Sequence, residues 1–538
     1  MEKTTKQPVE YCNETCTNCK RCEELEQRIK LYEEKLRLLT QRRFGHSSER
    51  SEVEGQEFLF NEAEAESDRK LPEPEMEAIT YKRIKRKGKR EEDLSSLPVE
   101  RIEYELPEGE RICPDCGGAL HDMSVEIRKA LKIIPMQVSV EEHVTHIYAC
   151  RSCEKNSDST PIVKAESPEP VIKGSVASPS AIAHIMTQKY VNAMPLYRQE
   201  KSFLYDDIVL SRQTMANWMI KCANDWLLPI YDKMKTALLK EEILHADETR
   251  VQVLKEPGRK ATTESFEWLY RTSGARAAPI VIYEYQPTRS SSHPKRFLSG
   301  FSGYLHTDGY QGYHCIDGIT VVGCFTHARR KFCDVIKALP KDHKRDSNAE
   351  TGLAYCNKLF MLERKYAEDN LTYDEIYEQR LEKSKPVADE FLAWAKETRE
   401  KVLPKSKIWD AVNYIIGQKE YLWNVFKDGR LEISNNRAEN GVRPFCVGRR
   451  NWLFSNTPDG ATASSIIYSI IETTKENGLK PFQYLKWLFE QLPNTTKPVE
   501  GFLPWSADVP DYCKMTVAEK EKFAFKKQKL YDELSKAV

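Results

Sequence analysis

The chain has 538 residues, too many for one hydrophobic core, so several domains are expected. Hydrophobic residues make up 40% and charged residues 30%, which fits globular protein, and no apolar run reaches the roughly 18 residues that a bilayer span demands. Lys plus Arg equals Asp plus Glu, 82 against 82, so net charge says nothing about nucleic acid and only local patterning can.

The opening stretch, MEKTTKQPVE, is polar and has no signal-peptide core, which points to the cytoplasm and to no membrane partner. In that compartment the 15 cysteines read as reduced thiols or metal ligands. Residues 1–50 hold Cys12, Cys16, Cys19 and Cys22, either a thiolate set for Zn²⁺ or free thiols. A heptad seam follows at Cys22, Leu25, Ile29, Tyr32, Leu36 and Leu39, which predicts a short coiled coil for self-association. Residues 51–105 form a charged linker. Its run Lys82-Arg83-Ile84-Lys85-Arg86-Lys87-Gly88-Lys89-Arg90 carries seven cations in nine residues, enough to neutralise DNA phosphates without reading sequence. Lys85, Arg86 and Lys87 are its central DNA-binding candidates.

Between 106 and 165, Cys113-Pro114-Asp115-Cys116-Gly117-Gly118 and Cys150-Arg151-Ser152-Cys153 make two knuckles, with strand-like alternation at Ile133, Val138, Val140, Val144 and Ile147. Four thiolates would close a structural Zn²⁺ site with no open position for chemistry. Residues 175–235 turn helical, with one helix starting at Pro179 and another after Ser211, a suitable N-cap. Arg212 and Gln213 would then stand at the exposed start of a recognition-type helix, as in a helix-turn-helix, or simply on a structural helix pair.

From 240 to 480 strand-like runs alternate with turns: 243–247, 265–270, 279–283, a helix near 295–301, then 304–308 and 321–325. The pattern predicts a multidomain α/β protein whose core is RNase H-like, with Asp247 on a first, central strand and Asp308 at the end of the adjacent fourth. Both runs, Ile243-Leu244-His245-Ala246-Asp247 and Tyr304-Leu305-His306-Thr307-Asp308, end on an aspartate, and Glu439 follows in Asn435-Asn436-Arg437-Ala438-Glu439-Asn440. Three carboxylates so delivered suit a pair of Mg²⁺ (or Mn²⁺) ions roughly 3.5–4 Å apart, which stabilise the attacking and leaving oxygens of phosphodiester displacement. Taken singly, each carboxylate reads equally well as a solvated loop end. The long gap before Glu439 predicts a helical insertion at about 344–427. Beyond the core, 481–538 form a C-terminal region. Arg329, Arg330 and Lys331 open the helix after Val321-Val322-Gly323-Cys324-Phe325, and Arg443, Arg449 and Arg450 follow Glu439. These cations could meet phosphate, Arg443 from the same helical face as Glu439, or form plain surface pairs.

Several ordered motifs resemble the DDE transposases of the insertion-sequence family numbered sixty-six, over nearly the whole chain. They include Asp247-Glu248-Thr249 with Val251-Gln252-Val253-Leu254, Thr307-Asp308-Gly309-Tyr310, Thr326-His327-Ala328-Arg329-Arg330-Lys331-Phe332, Ile433–Asn440 with Arg443-Pro444, and Gly448–Ser455. Arg43-Phe44-Gly45, Gly55–Phe60, Leu196–Glu200 and Phe502-Leu503-Pro504-Trp505 match in order as well, whereas the Cys12–Cys22 cluster departs from the pattern. The resemblance implies metal-dependent cutting and joining of insertion-sequence end DNA and target DNA, with Asp247, Asp308 and Glu439 as the metal-binding triad. It also implies a homo-oligomer on DNA and small accessory proteins as partners. A nuclease or resolvase that cuts without joining, or a silent DNA-binding derivative, are the alternatives.

Overall fold

A computed structural model describes residues 137–149, 162–275, 278–339, 347–517 and 519–520, together with Ile29, Arg101 and Ile127. The N-terminal cysteines, the basic run with Lys85, Arg86 and Lys87, and the knuckle residues Cys113, Cys116, Cys150 and Cys153 lie outside the described residues. So does the heptad seam apart from Ile29, which is helical and exposed.

Residues 56–165 make one compact unit. Its described part is an antiparallel pair, β1 (Ile147–Ala149) and β2 (Ile162–Lys164), with Tyr148 opposite Val163. Val138, Val140 and Val144, read from the sequence as strand, lie instead in exposed irregular backbone. Alternation makes a strand only where a neighbouring backbone supplies the ladder, and no described residue pairs with them.

The second unit holds residues 166–538 among its members. It opens with α1 (Pro179–Tyr190), α2 (Leu196–Tyr205), α3 (Arg212–Cys222) and, after a π-helical stretch, α4 (Leu228–Leu238). Ser178 caps α1 by accepting from Ala181 N, and Pro179 takes the first turn, where a missing N–H costs nothing. Ser211 caps α3 by accepting from Thr214 N at 3.1 Å. Met215, Trp218, Met219 and Cys222, spaced by three and four, form the buried face of α3.

A five-stranded sheet follows: β3 (Ile243–Gln252), β4 (Glu264–Thr272), β5 (Val281–Gln286), then α5 (Ser292–Phe297), β6 (Gly303–His306) and β7 (Ile319–Val322). The spatial order is β5-β4-β3-β6-β7. β3, β4 and β5 run antiparallel in sequence, while β6 lies parallel to β3 and β7 parallel to β6. The first strand is therefore the central one. Helix α6 (Phe325–Ala338) leaves β7 and leads to α7 (Asn348–Glu368), α8 (Tyr373–Gln379), α9 (Lys385–Lys401) and α10 (Lys407–Gly417). The chain then returns to the sheet through α11 (Asn436–Trp452), α12 (Pro458–Glu476) and α13 (Pro481–Gln491). The molecule is thus mixed α/β.

Two apolar cores hold this unit together. One joins Trp268, Tyr270, Tyr283 and Leu305 of the strands to α1–α4, α12 and α13. The other joins Ile243 and Val322 to Phe332 of α6, Leu359 of α7, Phe391 of α9 and Ile415 of α10. Gly352 lets α7 lie against α6, since a Cβ there would collide with the Phe332 ring. The outer edge of β5 is closed by hydroxyls of α12: Tyr283 N donates to Ser469 Oγ at 2.8 Å and Val281 N to Thr473 Oγ1 at 3.0 Å. That arrangement satisfies a strand edge that would otherwise invite pairing. No helix among the described residues is long and apolar enough to cross a membrane.

Candidate active site at three carboxylates

The ladder between β3 and β6 fixes the first two acids. His245 lies opposite His306 in parallel register, so Asp247 on β3 and Asp308 just past the end of β6, each two residues further on, come close enough for their charges to interact. Adjacent strands are about 4.8 Å apart, and a step of two returns each side chain to the face of its histidine. Asp247 is not at a strand end, as the sequence suggested. β3 continues to Gln252 because β4 pairs with it beyond the point where β6 stops. Asp308 lies just past β6, its Oδ1 accepting from Tyr310 N at 3.0 Å, and Gly309 takes the turn at φ +96°.

Glu439 comes from the first turns of α11. Asn435, fully buried before that helix, fixes its position. Its Oδ1 lies 3.0 Å from His245 Nδ1, its Nδ2 donates to the Ala246 carbonyl at 2.9 Å, and its backbone N donates to Cys324 Sγ at 3.1 Å. The side-chain amide thus ties the start of α11 to β3 immediately before Asp247, and the backbone N–H ties it to the junction of β7 with α6. Sequence reasoning quoted the Asn435-Asn436 doublet but gave it no role.

The electrostatics match this convergence. Burial pushes the Asp247 carboxyl well above the usual range, and the negative charges of Glu248, Asp308 and Glu439 push it further. Glu248 is a fourth, unforeseen acid. It is raised by burial and by Asp308, and held down by Arg289, whose Nε donates to Oε1 at 2.8 Å, and by Tyr313 OH, which donates to Oε2 at 2.9 Å. Beneath the aspartates the fully buried His245 and His306 stack with centroids 4.3 Å apart. Burial lowers both, His245 to about 3. At Glu439, Oε2 accepts from Arg330 Nη2 at 3.2 Å. Cys324, His327 and Glu439 each bring a ligand atom to within 4.8 Å of the others, a set able to hold a metal ion.

The other cations scatter. Arg330 reaches Glu439, but Arg329 Nε donates to Asn357 at 2.8 Å, and Lys331 lies over the Tyr414 ring at 5.0 Å. Arg449 Nη1 donates to Thr249 Oγ1 at 3.1 Å and to the Arg250 carbonyl, so its guanidinium holds the far half of β3. Arg443 is half-buried and Arg450 exposed, and no described residue bonds to either side chain. Arg212 and Gln213 are exposed at the start of α3, Arg212 beside Glu200, with no bond to the carboxylates.

Comparison with known proteins covers the same ground. A family model described as "Transposase IS66 family" matches residues 174–463, the stretch that carries all three acids. Further models match as "zinc-finger binding domain of transposase IS66" at 110–154, "IS66 C-terminal element" at 469–505 and "Transposase C of IS166 homeodomain" at 31–102. The chain is similar to "Uncharacterized protein y4hP" of Sinorhizobium fredii (strain NBRC 101917 / NGR234), 30% identical over 76% of this chain and 74% of that protein. It is similar also to "Uncharacterized protein y4jD" of the same strain, 28% identical over 77% and 82%.

Proposed function

Since the chain belongs to the IS66 transposase family, we propose that it cuts DNA at the ends of an insertion sequence and joins the freed ends to target DNA, using Asp247, Asp308 and Glu439 as its catalytic acids. The observation that carries this reading is the parallel register of His245 with His306, which sets Asp247 beside Asp308, together with the charge that Glu439 exerts on Asp247. The strand order, with the first strand central, its antiparallel neighbours on one side and its parallel neighbours on the other, supports an RNase H-like core.

The residues present fit a divalent-ion site. Like charges crowd Asp247, and Glu439 Oε1 is buried without a hydrogen-bond partner among the described residues. Asp247, Asp308 and Glu439 would hold Mg²⁺ or Mn²⁺, which when bound supplies charge stabilisation for the oxygens of an in-line phosphoryl transfer. The protein's own part is positioning. Asn435 and the strand ladder hold the acids, the neutral histidine pair adds no competing charge, Arg289 neutralises Glu248, and Arg330 reaches one oxygen of Glu439 while the other stays open. Arg443 and Arg450, bonded to no described side chain, would meet phosphate. In the zinc-finger segment Cys113, Cys116, Cys150 and Cys153 would bind structural Zn²⁺. Two ends must be processed, so a cytoplasmic homo-oligomer on DNA is expected, with small accessory proteins as further partners.

The test incubates the full-length protein with labelled element-end DNA and a target plasmid. Metal-dependent nicks and joined products are expected from the wild type, and neither from Asp308→Asn. Nicks without joining would leave a nuclease, and binding without nicks a silent derivative.

A further inference from the structure

His327 on α6 and Glu439 on α11 face each other across the edge of the carboxylate cluster. His327 Nδ1 and Glu439 Oε1 are 3.7 Å apart, beyond hydrogen-bonding distance, yet both atoms are buried and neither has a hydrogen-bond partner among the described residues. A protein does not cheaply leave two polar atoms so placed. Neighbouring donors that bind one octahedral ion at about 2.0–2.2 Å stand roughly 3 Å apart, so the two atoms need to close by less than about 1 Å to share an ion.

The local sequence builds this approach. Cys324 precedes α6 and His327 follows three residues later, so both lie at its first turn. Cys324 Sγ accepts from Asn435 N at 3.1 Å, which fixes the start of α6 against the start of α11, and thereby His327 against Glu439. Arg330, one turn further along, donates to Glu439 Oε2 and lies 3.4 Å from His327 Nε2. Ligation through Nδ1 leaves the proton on Nε2, which the guanidinium cannot then approach as a donor. Arg330 is 46% exposed, so its guanidinium can leave Glu439 for solvent when the ion binds.

We propose that His327 Nδ1 is a nitrogen ligand to the divalent ion held by Glu439, so that this centre binds Mn²⁺, which accepts a nitrogen donor, more tightly than Mg²⁺. The inference rests on the carboxylate reading above. An imidazole donor suits Zn²⁺, Fe²⁺ and Ni²⁺ best and Mg²⁺ takes oxygen, while Mn²⁺ takes mainly oxygen, admits a nitrogen, and is the paramagnetic probe of the site. Cys324 is a positioning residue here.

Pulsed electron paramagnetic resonance on the zinc-replete, full-length protein loaded with Mn²⁺ reads nitrogen ligation directly. Modulation from ¹⁴N is expected in the wild type, replaced by the ¹⁵N pattern in protein made with ¹⁵N-histidine, and lost in His327→Ala with Mn²⁺ affinity down at least about tenfold. If His327→Ala misfolds, His327→Gln, which keeps a polar side chain and removes the imidazole, assigns the coupling. Mn²⁺ that binds in an Asp247-dependent way without nitrogen coupling, or with coupling unchanged in His327→Ala, overturns the inference and leaves the carboxylate site standing. Mn²⁺ binding indifferent to Asp247→Asn and Glu439→Gln overturns the carboxylate site itself.

Discussion

Asn435 Oδ1 lies 3.0 Å from His245 Nδ1, a bond that joins the start of one helix to the central strand across 190 residues of sequence. The same amide covers the Ala246 carbonyl, so its removal strands two polar groups on the central strand. Asn435→Ala should therefore destabilise the protein by about 1–3 kcal/mol for each buried group left unpaired, and should loosen Glu439 relative to Asp247. Thermal melts and Mn²⁺ titration check this together. Unchanged Tm and unchanged Mn²⁺ affinity would show that α11 is held by packing alone.

A second prediction concerns pH. Glu267 on β4 is fully buried against α12, and burial pushes its carboxyl up to about 8, partly offset by a hydrogen bond from Ser465. The unfolded chain gives up this proton near 4.5 while the folded chain keeps it to about 8. The contribution to stability is thus full at acid pH, erodes as pH rises above 4.5, and levels off past 8. At pH 7 the loss is about 3 kcal/mol. Glu267→Gln keeps the shape and removes the titration, so its Tm should exceed that of the wild type by a margin that widens from pH 5 to pH 8. A constant margin across that range would sink the assignment.

How far the sequence speaks is visible in these two residues. Short apolar runs separated by turns marked β3, β4 and β6 because strands covered on both faces read as near-continuous apolar stretches, and the two histidine-aspartate runs drew attention to Asp247 and Asp308. The continuation of β3 through Glu248, Thr249 and Arg250 was hidden, since those residues are polar and become strand only because β4 pairs with them. Asn435 and the Glu248–Arg289 pair were hidden for a related reason: their partners are distant in sequence, and a side chain's role is then set by tertiary contact rather than by any local pattern. A C-x-x-H spacing at 324–327 could have flagged His327.

The helices between α6 and α11 were legible as helices, but what anchors them was not. Arg380 is 3% exposed and forms a fork to Glu363 at 2.8 and 2.6 Å. It also donates to the carbonyls of Val425, Asp428 and Leu431 at 3.3, 3.1 and 2.7 Å. Those carbonyls lie on the segment that leads back to Asn435. Arg380→Met leaves the half-buried Glu363 and the buried carbonyls unpaired and should cost about 1–3 kcal/mol. Arg380→Lys should recover only part of that, because an ammonium cannot span a carboxylate and three carbonyls at once. Chemical denaturation of the three proteins checks the order, and a lysine variant as stable as the wild type would show that charge alone suffices.

Two arginines on α11 should separate binding from folding. Arg443 follows Glu439 by one turn and is bonded to no described side chain, so a phosphate is free to claim it. Arg443→Ala should raise the Kd for end DNA, lower the slope of log K against log salt by about one, and leave Tm unchanged. Arg449 is spent on Thr249 and on the Arg250 carbonyl. Arg449→Ala should cost about 1–2 kcal/mol of stability by releasing β3 just beyond Asp247, with the salt slope unaltered. Melts and salt-dependent binding on both variants test this pairing. If Arg449→Ala reduces the salt slope while Arg443→Ala does not, then Arg449 leaves the strand when DNA arrives, and the phosphate contact beside Glu439 belongs to it instead.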